Sequence, residues 1–97
     1  MTDKKLLRVC RSFRHGLIGR RAGDMMCGVV CYPLRAYLSA IYGMQVEEED
    51  VLLHSSNHVF LRLPDGRVLD PTADQFGEER VYLGPPLWFH HDKTRPA

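Results

Sequence analysis

"HVFLRLPDGRVLD", residues 58–70, decides the fold. Two apolar runs flank Pro64, Asp65 and Gly66. Pro64 suits the first central position of a type I turn because its ring fixes φ near the helical value, and Asp65 suits the second. Gly66 can then take the left-handed backbone that other residues resist. The result is a three-residue hairpin loop with a bulge. Counting back from it pairs Leu63 with Arg67, Arg62 with Val68, Leu61 with Leu69 and Phe60 with Asp70. Val59, Leu61, Leu63 and Leu69 then share one face, which reads as core. His58, Phe60, Arg62, Val68 and Asp70 share the other, which is mixed in character. His58 lies diagonally from Asp70 on that second face, at a spacing of about 7–8 Å that long side chains can bridge. A two-residue loop would put the pair on opposite faces. From this stretch alone, the mixed face reads equally well as a solvated surface.

Upstream, "DKKLLRVCRSFRHGLIGRR" (residues 3–21) carries Leu6, Val9, Cys10, Phe13 and Leu17 at helical spacing, with basic residues between. This predicts a short amphipathic helix ending near Gly16. In "AGDMMCGVVCYPLRAYLSAIYG" (residues 22–43), Cys27, Val30, Cys31, Leu34, Leu38 and Ile41 form a second buried stripe, with Asp24 as the N-cap and Gly43 as the stop. Pro33 predicts either a kink or an irregular first turn before Tyr32. "MQVEEEDVLLHSSN" (residues 44–57) predicts one extended strand ahead of the hairpin. "PTADQFGEERVYLGPP" reads as loop with a short strand at Val81–Leu83. "LWFHHDKTRPA" reads as a tail in which Trp88 and Phe89 dock, His90 and His91 are exposed, and the last residues fray.

The 97 residues predict a single domain: an N-terminal helix and linker over 1–22, a core over 23–83 and a tail over 84–97. The class is α+β, a central helix on a small antiparallel sheet with an additional N-terminal helix. The net charge is only +1, but Lys4, Lys5, Arg8, Arg11, Arg14, Arg20 and Arg21 crowd the first 21 residues. A solvated basic face over an apolar stripe explains them, so nucleic acid is not expected. No apolar run approaches the ~18 residues of a membrane span. Three cysteines and the absence of a signal-peptide pattern predict a cytoplasmic location.

Cys27 falls where the central helix begins, and a helix N-terminus and a nearby imidazolium both favour a thiolate. A helix lying over the hairpin brings its first turn to His58, with Asp70 orienting the imidazole. "MCGVVCYPL", "NHVFLRLPDGRVLD" and "DPTADQF" together resemble a set of small bacterial and phage proteins with a papain-like or transglutaminase-like core. The resemblance spans roughly Gly23 to Phe76 and is most specific from Asn57 to Phe76. It implies a Cys-His-Asp triad with Cys27 as nucleophile, His58 as base and Asp70 as orienter. It also implies an amide-directed hydrolase or acyltransferase (peptidase, amidase, glutamine deamidase or transglutaminase type) working on a protein or peptide without a cofactor. Two features depart from the pattern. Asp24 and Met25 stand where a papain-type glutamine would help form the oxyanion hole, with Gln75 the candidate from the other side, and the chain is short for the superfamily. Cys31 is the rival nucleophile, while Cys10 reads as a core thiol. Two other readings stand beside this one: a non-catalytic interaction module, and a zinc site built from Cys27, Cys31, His54 and His58.

Overall fold

The computed structural model describes residues 1–54 and 56–92. Helix α1, Asp3–Ile18, starts where the Thr2 hydroxyl accepts the Lys5 N–H. Its buried face is Leu6, Cys10, Arg14 and Ile18, a strict four-residue spacing. Leu17, expected in the apolar stripe, is exposed; the stripe passes instead through Arg14, which is buried. Helix α2, Cys27–Tyr42, buries Val30, Cys31, Leu34 and Leu38. Ile41 was expected to join them but faces outward. Asp24 is not the cap: Met26 holds that position and offers no side-chain bond. Pro33 sits inside the helix. Its missing N–H leaves the carbonyl of Val29 without that helical donor, on an exposed residue where water can serve. Gly43 closes α2 in the left-handed conformation, its N–H reaching the Leu38 and Ser39 carbonyls.

Four antiparallel strands follow in the order β1 (Glu47–Leu53), β2 (Ser56–Arg62), β3 (Val68–Asp70) and β4 (Tyr82–Gly84). The protein is thus a small α+β domain with two helices and a four-stranded antiparallel sheet. The β2–β3 hairpin keeps the register read from its loop: Leu61 opposes Leu69 and Arg62 opposes Val68. The Leu63 N–H donates to the Arg67 carbonyl at 2.9 Å, and Gly66 has φ +92°. The extended segment predicted over 44–57 is not one strand. It stops at Leu53, turns back at His54, and β1 pairs β2 from Leu53–Ser56 to Glu47–Arg62.

Both faces of the sheet are covered at β2 and β3, while most of β1 stays exposed. Val59, Leu61, Leu63, Leu69 and Val81 pack against Leu6 and Cys10 of α1 and Cys31, Leu34 and Leu38 of α2. The mixed face is not a solvated surface. His58, Phe60, Val68 and Asp70 are buried there, beneath two 3₁₀ turns, Ala73–Phe76 and Trp88–His90. Phe89 docks fully and Trp88 stays half-exposed, edge-on to Phe76 at 5.4 Å. His90, expected on an exposed tail, is 2% exposed; His91 is exposed as expected. The Asp92 carboxylate accepts the Leu52 N–H at 2.9 Å and so ties the tail to edge strand β1. The expected fraying of residues 93–97 lies outside the described residues.

Arg14 joins α1 to the loops that carry the motifs. Its guanidinium donates to both Asp74 carboxylate oxygens, each at 2.8 Å. It also donates to the carbonyls of Pro71, Arg80 and Arg21. Asp74 in turn accepts the Gly23 N–H at 3.1 Å. The backbone at Gly23 passes so near that a Cβ there would lie 2.4 Å from Asp74 Oδ1. One buried cation therefore fixes both the approach to Cys27 and the segment after Asp70.

Candidate active site

Strand β3 ends at Asp70, so β2 has no strand neighbour on that side at Val59. The N-terminal turn of α2 fills the vacancy. The Cys31 thiol donates to the Val59 carbonyl at 3.3 Å, and the Val59 N–H favours the thiolate of Cys27. Stopping one strand early thus aims the first turn of a helix at the neighbouring histidine.

Cys27 is the first residue of α2, partly buried, and interacts with the His58 imidazole. His58 Nε2 lies 2.7 Å from Asp70 Oδ2, which leaves Nδ1 as the nitrogen available to the thiol. Phe76 meets the ring edge-on at 4.8 Å, with Phe60 and Phe89 slightly farther away. Asp70 is fully buried, and its Oδ1 accepts the Thr72 N–H at 3.0 Å. Gln75 donates to the Thr72 hydroxyl at 3.1 Å, with its Nε2 3.4 Å from His58 Nδ1. It therefore stands on the side of the ring that faces the sulfur.

Hydrogen bonding from His58 holds the Cys27 thiol below its usual pKa; burial opposes this, and the Val59 and Gly28 N–H groups assist. Burial pulls His58 down, but its bonds to Asp70 and Cys27 outweigh that and raise it to about 9. Burial likewise pushes Asp70 up, and the two imidazoles bonded to it bring it below the usual carboxylate value. A lowered thiol beside a raised imidazole favours a thiolate–imidazolium pair at neutral pH. The other cysteines differ. Burial raises Cys10 to about 12 and moves Cys31 strongly upward. Cys27, not Cys31, is the thiol beside His58.

His90, read from the sequence as part of an exposed tail, is a buried partner of Asp70. Its Nε2 lies 2.8 Å from the same Asp70 oxygen that holds His58. The Leu87 N–H donates to its Nδ1 at 2.9 Å, so its proton sits on Nε2. Nothing in "WFHH" marks which histidine turns inward. Arg14 was more legible, since its position continues the spacing Leu6, Cys10 to Ile18.

Cys27, Cys31, His54 and His58 do not gather. Among the described residues, the ligand atoms that converge within 4.8 Å belong to His58, Asp70 and His90. Their chemistry is that of hydrogen bonds. His90 Nε2 carries a proton, and both imidazole nitrogens meet one oxygen at N–H···O distances. The cleft of about 640 Å³ between α1 and the approach to β4, lined by Arg11, Ser12, His15 and Arg80 among others, includes neither Cys27 nor His58. No helix among the described residues is long and apolar enough to cross a membrane.

The carboxylates set the response to acid. Asp70 and Asp74 both have folded pKa values below their ordinary 3.8. For Asp74 burial acts upward, but the bonds from Arg14 and Gly23 prevail. Between the folded and unfolded values the unfolded chain binds more protons, so this stabilisation is present above about pH 4 and is lost as pH falls through the folded values. The urea midpoint is expected to drop between about pH 5 and pH 3; a midpoint unchanged over that interval would contradict the buried carboxylate network.

Compared with protein-family models, curated proteins and solved structures, the chain shows no match in any of the three.

Proposed function

We propose that this domain has a papain-like or transglutaminase-like core and acts as a thiol-dependent hydrolase or acyltransferase on an amide of a protein or peptide. The observation that carries the reading is the continuous line from Cys27, at the start of α2, through His58 to a fully buried Asp70. In this reading the Cys27 thiolate attacks the acyl carbon. The tetrahedral intermediate collapses as the C–N bond breaks, and the imidazolium gives its Nδ1 proton to the leaving amine. A thioester on Cys27 remains. Water or an acceptor amine then attacks it, His58 takes the incoming proton, and the C–S bond breaks to restore the thiolate–imidazolium pair. The Cys27 N–H at the helix start and the Gln75 amide are the donors nearest to hand for the oxyanion. Gln75 thus supports the role for which no residue before Cys27 is available.

A limiting amount of iodoacetamide at neutral pH tests this. Cys27 is expected to be labelled well ahead of Cys10 and Cys31, because the thiolate is the reactive form. Peptide mapping that finds Cys27 no faster than a free thiol reagent would favour a non-catalytic interaction module.

A further inference from the structure

We propose that His90 is a positioning residue for the Cys27–His58 pair, its Nε2–H locking the Asp70 carboxylate in the orientation that holds His58. This rests on the thiol-based reading above. A carboxylate turns easily about its terminal bond. Here Oδ1 is fixed by the Thr72 N–H, and Oδ2 accepts from His58 at 2.7 Å and His90 at 2.8 Å. Each Oδ2 lone pair thus has a donor, which an unhydrated carboxylate requires. The two imidazoles cannot exchange roles. Leu87 grips His90 from both sides, its N–H on Nδ1 and its carbonyl accepting the His90 N–H, each at 2.9 Å. The ring is wedged among Phe89 at 4.3 Å, Phe60 at 4.6 Å and Tyr82 at 5.9 Å. Its donor is therefore fixed by backbone and packing, while His58 keeps its Nδ1 edge toward the thiol.

The charged and titratable groups near this ring are few. Asp70 and His58 face it directly and Tyr82 stacks on it. Beyond Phe60, Arg62 and Glu49 pair with each other. None supplies a second donor to Asp70 Oδ2 if His90 is removed.

The experiment compares the alkylation rate of Cys27 against pH in the parent, His90→Ala, His90→Gln and His58→Ala. Glutamine places an N–H near the position of Nε2 and cannot titrate. His90→Ala is expected to move the thiol midpoint up by about one unit, a tenfold loss of rate at pH values well below both midpoints, and His90→Gln to recover most of it. A residue that only fills space would lower stability in both variants and leave both midpoints where they were. That outcome, in folded protein, overturns the proposal. Nitrogen-15 imidazole shifts of the parent at neutral pH provide a reading that needs no variant: His90 is expected as the Nε2–H tautomer, and an Nδ1–H tautomer overturns the proposal even if His90→Ala does not fold. A midpoint that moves in His58→Ala but not in His90→Ala rejects the role of His90 alone. A midpoint that moves in neither rejects the thiol–imidazole pair itself.

Discussion

Arg14→Ala is expected to cost about 3–5 kcal/mol, the usual effect of stripping one partner from a buried ion pair. A domain of this size has only about 5–15 kcal/mol in all, so the variant is expected to sit near its unfolding threshold. The cause is what the guanidinium leaves behind. Asp74 loses both of its 2.8 Å bonds, and the Pro71, Arg80 and Arg21 carbonyls lose their donor together. Arg14→Lys is expected to recover only part of the loss, because an ammonium cannot make the paired bonds of a planar fork. The exposed Arg11–Glu79 pair is the control, and Arg11→Ala is expected to change little. Urea unfolding measures all three. An Arg14→Ala midpoint within experimental error of the parent's would show that α1 is not anchored through this residue.

Asp70→Asn is expected to silence the site while leaving the shape of Asp70 almost unchanged. Three N–H donors surround this carboxylate, two imidazole N–H groups at Oδ2 and the Thr72 N–H at Oδ1, with the Thr72 hydroxyl farther off at 3.5 Å from Oδ1. An asparagine must turn its own NH₂ toward one side, where donor meets donor. His90 cannot relieve the conflict, because its Nδ1 is already taken by the Leu87 N–H. His58 can, by moving its proton to Nδ1, the nitrogen that faces Cys27. The imidazole then has no lone pair for the thiol proton. The midpoint of Cys27 alkylation is expected to rise by about one unit or more, so that the rate well below the midpoint falls about tenfold or more. Stability is expected to fall by about 1–3 kcal/mol for the unmatched buried donors. A surface aspartate would change stability by no more than about 0.5 kcal/mol and reactivity not at all. Alkylation kinetics and urea unfolding of the same variant separate the two cases.

What the sequence reveals here follows from how local the cause is. The loop Pro64-Asp65-Gly66 sets the β2–β3 register by itself, and the register puts His58 and Asp70 on one face. Both are therefore readable from thirteen residues. The stop at Gly43 is equally local, a single left-handed residue. The covering of the mixed face is not local. It depends on Phe89 and His90 returning about twenty residues after Asp70, and no periodicity marks that return. The choice between Cys27 and Cys31 is also long-range. Both lie on the inner side of α2, and the end of β3 leaves one Val59 group for each. Only the position of Val59 shows which sulfur meets an imidazole and which gives its proton to a carbonyl. Arg14 lay in plain view at the right spacing, but an arginine on a helix surface usually reaches water, and all its partners but the Arg21 carbonyl are some 60 residues away.

The ion pair between Cys27 and His58 is most directly measured as the alkylation rate of Cys27 against pH in the parent and in His58→Ala. In the parent, reactivity is expected to persist well below the midpoint of an ordinary thiol, near 8.5. In His58→Ala, the midpoint is expected to rise to that value or above it, because the burial that remains opposes the thiolate. Two superimposable curves with midpoints near 8.5 would contradict the pair and leave His58 and Asp70 as structural groups of a buried sheet face.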